Sequence, residues 1–435
     1  PDIQAQLTQA RENLQRLGNA VSELVNLSSD VFEDKGIKKS LEDLRKAYDE
    51  ALQRLLNPTL SIATIGTTSS GKSTAVNALM GRSIAPIEAD EMSGGVLTLR
   101  HSDERRLIIE ATPDAAWETG EWKNLSDDEL YNKIQTVMYR YHETRKKKNL
   151  IAPKIKVCVP LFPANELSLS GLPKGIGVEF LDLPGLKSVQ DQANLKVIQP
   201  LVGKAFSIVV IDYTQIDEEH RQKLLGELKK VVEYLQGRID SMIFVLNRVD
   251  RRTQKDKSIE ERIAKLRVEI KDKLGLKELP DVLPLNALLL YYAQCAWGTN
   301  ALNLDSDINQ EVRSDLLKSL VKDCTNFIED KTENNLDLDD WFTDFKKSVK
   351  RSKTIDDEQI RQFLNYALKW SGGEELWKCI KKRITESFSE LVILPVLFDV
   401  FTKFDAFNNQ LNLLIETRKI DNQEEVKLQT ERIIA

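Results

Sequence analysis

The run Gly66-Thr67-Thr68-Ser69-Ser70-Gly71-Lys72-Ser73 fits G-x-x-x-x-G-K-[ST] without a mismatch, and its chemistry is phosphate binding. A loop of this kind lays backbone N–H groups around a polyphosphate at a helix N-terminus. Lys72 would reach the β- and γ-phosphates and the Ser73 hydroxyl would ligate Mg²⁺, with Gly66, Thr67, Ser69, Ser70, Gly71 and Thr74 completing the cradle. The flanks agree: the strand-like Leu60–Ile65 precedes the loop and the helix-like Thr74–Met80 follows it. A glycine-rich turn that matches by chance fits this setting poorly.

Two further polar groups close apolar runs, in the order a guanine-nucleotide site requires. Asp182-Leu183-Pro184-Gly185 ends the run Val178–Leu181. A carboxylate at a buried strand tip can hold Mg²⁺ through water, and the Gly185 N–H can approach a γ-phosphate because glycine admits close backbone contact. Asn247-Arg248-Val249-Asp250 closes Met242–Leu246. There Asp250 can accept both the N1 and N2 hydrogens of guanine, a donor pair that adenine lacks, while Asn247 braces the loop. Each of these motifs alone is weak, and a polar turn at a strand end would explain it. Three in register, each at the C-terminal end of a strand-like run, are a strong signal, since ligands sit there in open α/β sheets. Leu283-Pro284-Leu285-Asn286-Ala287 is a softer element. Backbone N–H groups at Asn286 and Ala287 could cover guanine O6, although a plain strand end explains the run almost as well. No threonine is well placed to close on Mg²⁺ and the attacking water. Ser93, in Glu91-Met92-Ser93-Gly94-Gly95, is the candidate second hydroxyl ligand, weighed against a simple Gly-Gly turn into the next strand.

The chain of 435 residues has room for two or three domains, and 30% of it is charged with a net charge of −6. That balance argues against a surface coated in nucleic acid or bound all over to anionic lipid, so no direct nucleic-acid binding is expected. The basic runs at Arg145–Lys148 and from Lys346 to Lys353 read as solvated faces or helix ends. Cys158, Cys295, Cys324 and Cys379 form no C-x-x-C pair, which implies neither zinc nor a disulfide framework and suits a reducing cytosol. Three histidines leave little for histidine-based chemistry. No signal peptide and no bilayer-length apolar run is visible. A start at Pro1 and an end inside a helical pattern lead to the expectation of a fragment.

The elements that must position these residues follow from periodicity. Ile3, Leu7, Ala10, Leu14, Leu17, Val21 and Leu24 form a heptad seam, and Ile37, Leu41, Leu44, Tyr48, Ala51 and Leu55 share a face of a second helix that stops at Asn57-Pro58. Beyond Pro395 a long helix carries Phe404, Phe407, Leu411, Leu414 and Ile415. Residues 1–57 and 395–435 are therefore expected to form an α-helical neck, with helices packed back onto the nucleotide domain as the alternative. Residues 58–394 are expected to be an α/β domain with a mainly parallel central sheet and flanking helices. Within it, 96–100 and 106–110 read as a strand pair. A capping box Ser126-x-x-Glu129 opens a helix to about Lys148, and Ile155–Leu161, Gly177–Leu181 and Ser207–Tyr213 read as strands. A polar helix Asp217–Gln236 and an acidic helical insertion over about 296–370 complete it. Trp341, Trp370 and Trp377 read as packing residues.

Together these residues resemble the bacterial dynamin-like GTPases. The resemblance rests on Thr64-Ile65-Gly66 leading into Gly71-Lys72-Ser73-Thr74, then Asn77-Ala78-Leu79-Met80-Gly81 and Ile84-Ala85-Pro86. Phe180–Gly185, Asp212-Tyr213-Thr214-Gln215 and Val245–Asp250 continue it, so that about 58–300 is covered. Asp212–Gln215 and Ala296-Trp297-Gly298 make the chain similar to the branch proposed to associate with the replication clamp. The resemblance implies a P-loop GTPase that binds GTP/GDP and Mg²⁺, forms a homodimer through its nucleotide faces and couples hydrolysis to a swing of the neck about Pro58 and Pro395. It implies charge compensation by Ser69 and a monovalent cation in place of an arginine finger. Membrane remodelling would use a region absent from this chain, with a cytoplasmic location that extends to the periphery of the inner membrane. The pattern departs at Thr68, where eukaryotic dynamins carry a glutamine that helps hold the water, at Ser93, and at Arg248, where a lysine is usual. These departures keep open a second reading: a nucleotide-controlled scaffold that recruits replication or nucleoid partners with little hydrolysis.

Overall fold

The computed structural model describes residues 2–27, 34–66, 69–87, 95–145, 150–173, 175–183, 205–215, 225–226, 229, 242–253, 256–351 and 354–434. The chain divides into two units, Pro1–Thr59 with Phe388–Ala435, and Leu60–Ser387. It passes between them at Thr59–Leu60 and at Ser387–Phe388, the latter upstream of the boundary expected at Pro395.

The first unit is helical: α1 (Ile3–Leu27), α2 (Lys35–Leu56) and a long C-terminal helix (Leu394–Ile434) entered through a π-turn, Ser389–Ile393. The heptad seam of α1 is covered only in part. Ile3, Leu7, Ala10 and Leu14 are buried, whereas Leu24 is 41% exposed. On α2, Ile37, Leu41, Leu44, Ala51 and Leu55 are buried as expected, and Ala47 joins them. The helix starts at Asp34, whose carboxylate accepts from the Gly36 and Ile37 N–H groups, and ends where Arg11 donates twice to the Leu55 carbonyl, at 3.0 and 2.7 Å.

The second unit is built on a nine-stranded sheet in the order β4-β3-β5-β2-β6-β1-β7-β8-β9. In chain order these are Thr59–Gly66, Val96–His101, Arg106–Ile109, Gly120–Lys123, Lys154–Val159, Gly177–Asp182, Phe206–Asp212, Met242–Asn247 and Val282–Leu285. β7 runs parallel to β1 and β8, β8 runs parallel to β9, and β2 runs parallel to β5. β2 is antiparallel to β6, and β3 is antiparallel to both β4 and β5. The expected pairing of 96–100 with 106–110 does not occur, because β5 lies between them. β5 carries buried Ile155, Val157 and Val159 and takes an interior place, while the polar, mostly exposed β4 takes the edge. Strands β7 and β8 are buried along their whole length, as parallel strands covered on both faces must be.

Further helices are α3 (Lys72–Met80), α4 (Asp127–Arg145), α5 (Ile259–Leu274), α6 (Ala287–Trp297), α7 (Gln310–Thr332), α8 (Leu336–Lys350), α9 (Asp357–Ser371) and α10 (Gly373–Phe388). The expected capping box opens α4: Ser126 N–H donates to Glu129 at 2.7 Å, and Glu129 N–H donates to Ser126 Oγ at 3.2 Å. Helices α7 to α9 form the insertion. Trp341 stacks on Phe345 and Phe363 there, and Trp377 on α10 is buried, so both serve packing. The expected helix Asp217–Gln236 falls almost wholly outside the described residues.

Candidate functional site

Strands β6, β1, β7, β8 and β9 are neighbours, and the motif residues sit at their C-terminal tips. β1 ends at Gly66, where an added Cβ would meet the Val210 carbonyl at 2.5 Å. Ser69 (φ 61°) and Gly71 (φ 87°) adopt left-handed backbone, which turns the loop into the first turn of α3. At Gly71 a Cβ would lie 2.3 Å from Asn247 Nδ2, so glycine is required by conformation and by space alike. The Ser70 hydroxyl is buried in the loop with no hydrogen-bond partner among the described residues.

Lys72, the first residue of α3, is 6% exposed. Burial pushes its ammonium below the usual range, and the nearby Asp182 charge opposes that shift. Asp182 closes β6. Burial raises its carboxyl, against the opposing influence of Lys72, Ser73 and Thr64. Ser73 Oγ donates to Asp182 Oδ2 at 2.8 Å, and Thr64 Oγ1 lies 3.5 Å from Oδ1. A hydroxyl and a carboxylate held together at a helix N-terminus form a hard-oxygen donor pair that suits Mg²⁺, an ion that keeps waters and takes phosphate oxygens as further ligands. These residues fit the metal.

Asn247 ends β8 and bridges two elements. Its Nδ2 donates to the Ser70 carbonyl at 2.9 Å, and its Oδ1 accepts from the Ala287 N–H at 3.0 Å. The phosphate loop and the start of α6 are thereby tied to one side chain. The next residue, Arg248, is left-handed (φ 63°) and opens the 3-10 turn Val249–Arg251 that carries Asp250. Asp250 has a side chain 17% exposed, and burial raises its carboxyl above the usual range.

The two backbone N–H groups expected over guanine O6 are engaged within the protein. Asn286 N–H donates to the Ser371 carbonyl at 2.8 Å, and Ala287 N–H donates to Asn247. Asn286 caps α6 through Oδ1, and its buried Nδ2 has no partner among the described residues. Arg248, at the position where the resemblance leads one to expect a lysine, forms an ion pair with Asp212 at 2.8 Å. Asp212 is a site residue that the functional reading of the sequence missed. The signal was present, because Asp212 closes the apolar run Phe206–Ile211 as Asp182 and Asn247 close theirs. The expected site residues Thr67, Thr68, Ser93 and Gly185 lie outside the described residues.

A family model described as the dynamin family matches residues 62–249. Three solved structures are similar over part or most of the chain. A bacterial dynamin from an oligomerised pair, described as providing long-range sensing and tethering of membranes, is 15% identical; 99% of this chain and 54% of that one align, with a TM-score of 0.40. Aquifex aeolicus Era bound to GDP and AlF4⁻ is 15% identical over 53% and 52% of the chains, with a TM-score of 0.28. LeoA, a bacterial dynamin GTPase from ETEC, is 16% identical over 88% and 48%, with a TM-score of 0.31. This chain spans about half the length of each of these three structures (54%, 52% and 48%). No curated protein matches. The matched segment lies within the sheet-bearing unit and contains most of β1, the phosphate-loop motif, Asp182 and Asn247.

Proposed function

We propose that the chain binds GTP and GDP with Mg²⁺ and hydrolyses GTP at the strand tips of its sheet, as a dynamin-like protein that pairs through its nucleotide face. One observation carries this reading: Asn247 braces the phosphate loop and the base-side helix at once, with Ser73 and Asp182 joined 2.8 Å apart beside them. Ser73 and Asp182 would hold the metal, which when bound neutralises phosphate charge. Lys72 and the loop amides between Gly66 and Ser73 stabilise charge that spreads onto the γ-phosphate oxygens. Asp250 takes the guanine edge. Ser69 and a monovalent cation are proposed to replace an arginine finger. Water attacks in line, oriented by Ser93 and backbone groups near Gly185 and Thr68.

Coupling of hydrolysis to movement of the helical unit is part of the proposal. The second crossing between the units lies at Ser387, whose backbone (φ −123°, ψ 21°) is non-helical within an otherwise continuous helix. Among the described residues no helix is long and apolar enough to cross a membrane. Action at membranes is proposed from the family match and is tested by nucleotide-dependent liposome binding.

The decisive experiment measures GTP hydrolysis against protein concentration for the wild type and Lys72→Ala, with sedimentation in GDP plus aluminium fluoride. The reading expects a specific rate that rises with concentration, dimers in the trapped state, and no turnover by Lys72→Ala. Full activity in Lys72→Ala would refute the site, and a flat rate with no dimer would refute pairing. Asp250→Asn is expected to shift preference from GTP towards XTP, because a carboxamide complements xanthine.

A further inference from the structure

We propose that Asp212 is a positioning residue for base recognition: its buried carboxylate holds Arg248, and through Arg248 it fixes the turn that presents Asp250. This inference rests on the GTPase reading and adds a residue to its base site.

The Asp212 side chain is fully buried, and both of its oxygens are engaged. Oδ1 accepts from the Thr214 N–H at 2.8 Å and from the Thr214 hydroxyl at 2.7 Å. Oδ2 accepts from Arg248 Nη1 at 2.8 Å. The carboxylate is thus oriented by one flank of its own loop, and its free edge is spent on the arginine. Strand register explains the reach. Asp212 lies beside Asn247 on the parallel pair β7–β8, so the residue after Asn247 starts next to the carboxylate.

Arg248 is a non-glycine residue in left-handed backbone, a conformation that L side chains adopt only when their surroundings impose it. The ion pair supplies such a constraint. Arg248 then opens the turn that holds Asp250: its carbonyl accepts from the Arg251 N–H at 3.0 Å. A guanidinium suits the role better than an ammonium, since a planar fork keeps one edge on the carboxylate and fixes the direction of the whole side chain. With its side chain 40% exposed, Arg248 still presents part of that plane outward.

A purely structural role for the pair would lower stability and leave base preference alone, whereas a positioning role changes base preference. Inosine lacks the exocyclic N2 donor that a correctly placed Asp250 accepts, so the ratio of GDP to IDP affinity reports the placement of Asp250. The experiment titrates mant-GDP, with displacement by unlabelled GDP and IDP, against wild type, Asp212→Asn, Arg248→Met, Arg248→Lys and the Asp212→Asn/Arg248→Met double variant, alongside thermal unfolding. We expect Asp212→Asn and Arg248→Met each to reduce GDP affinity about tenfold, the size of one lost charge-assisted hydrogen bond. The GDP-to-IDP ratio should fall in both, the double variant should be no worse than either single one, and Arg248→Lys should recover part of the ratio. An unchanged ratio in a folded Arg248→Met, which alters a partly exposed side chain, overturns the proposal. Additive losses in the double variant overturn it too. A wild type that fails to bind mant-GDP would sink the GTPase reading itself, a different result from a wild type that binds and variants that discriminate as it does.

Discussion

Gly71→Ala is the substitution whose cost the geometry defines best. Two penalties meet at this position. Left-handed backbone at φ 87° costs an alanine about 1–2 kcal/mol. The new Cβ would also stand 2.3 Å from Asn247 Nδ2, so the amide must leave and its 2.9 Å bond to the Ser70 carbonyl is lost. Asn247 is 3% exposed, and a buried polar group stripped of its partner costs about 1–3 kcal/mol. The sum is about 2–5 kcal/mol, or a 30-fold to 4,000-fold loss of mant-GDP affinity if the strain falls on the bound loop. A double-mutant cycle separates the two penalties. Asn247→Ala removes the group that Gly71→Ala would evict, so the double variant should be less impaired than the sum of the singles by about 1–3 kcal/mol. The assay is mant-GDP titration of the four proteins, with urea unfolding to apportion the loss between binding and stability. Additivity to within about 0.5 kcal/mol would show that Gly71 makes no room for Asn247, and the steric half of the reasoning would fail.

Asn247→Asp should impair nucleotide binding more than Asn247→Ala: although it keeps an acceptor for the Ala287 N–H, it sets a charged lone pair against the Ser70 carbonyl, and equal affinities would count against the bridge. Arg82 is buried and donates to the Pro160 carbonyl, Asp127 and Asp307, at 3.0, 3.1 and 2.9 Å. Arg82→Met should cost about 3 kcal/mol in urea unfolding, by stripping the partly buried Asp307 of its cation and Asp127 of one of its two, Arg105 remaining. His101 accepts from the Leu161 N–H through Nδ1, and burial lowers its pKa from 6.5. Since the folded state disfavours the protonated ring, its stability contribution is complete above pH 6.5 and declines as pH falls below that value. His101→Gln should flatten that limb of a urea-midpoint profile, and an unchanged slope would remove His101 from the account.

The site was legible where a polar residue closes an apolar run. Asp182, Asn247 and Asp250 follow stretches that can only be buried strands, and the phosphate loop has a spacing that few other structures require. Strand order was not legible. The short link from β2 to β3 suggests a hairpin, but the more apolar β5 fills the interior position between them, a competition that no local window registers. β4 went unseen because Gly120-Glu121-Trp122-Lys123 has no alternating pattern and lies at the exposed edge. On α1 the heptad seam gave the correct face, yet periodicity says nothing of where a partner stops, and Leu24 and Leu27 are exposed at 41% and 85%. The commitment of the Asn286 and Ala287 N–H groups is likewise tertiary, since each is satisfied by a residue distant in sequence.

What joins the two ends of the proposed nucleotide site is a requirement for one donor and one acceptor on a short arm. The Ser70 carbonyl needs a donor, the Ala287 N–H needs an acceptor, and both lie within hydrogen-bond reach of the tip of β8. Aspartate offers two acceptors, serine cannot span the two points, and glutamine adds a methylene where Gly71 already leaves no space. Asparagine satisfies all of these conditions. The absence of a side chain at residue 71 and the presence of a carboxamide at residue 247 are therefore a single requirement, imposed by a phosphate loop that must turn sharply while held from the base side. Asp212 repeats the principle one strand away: a buried side chain at a strand tip, with its atoms committed on both sides, fixes a loop residue in backbone it would not choose alone.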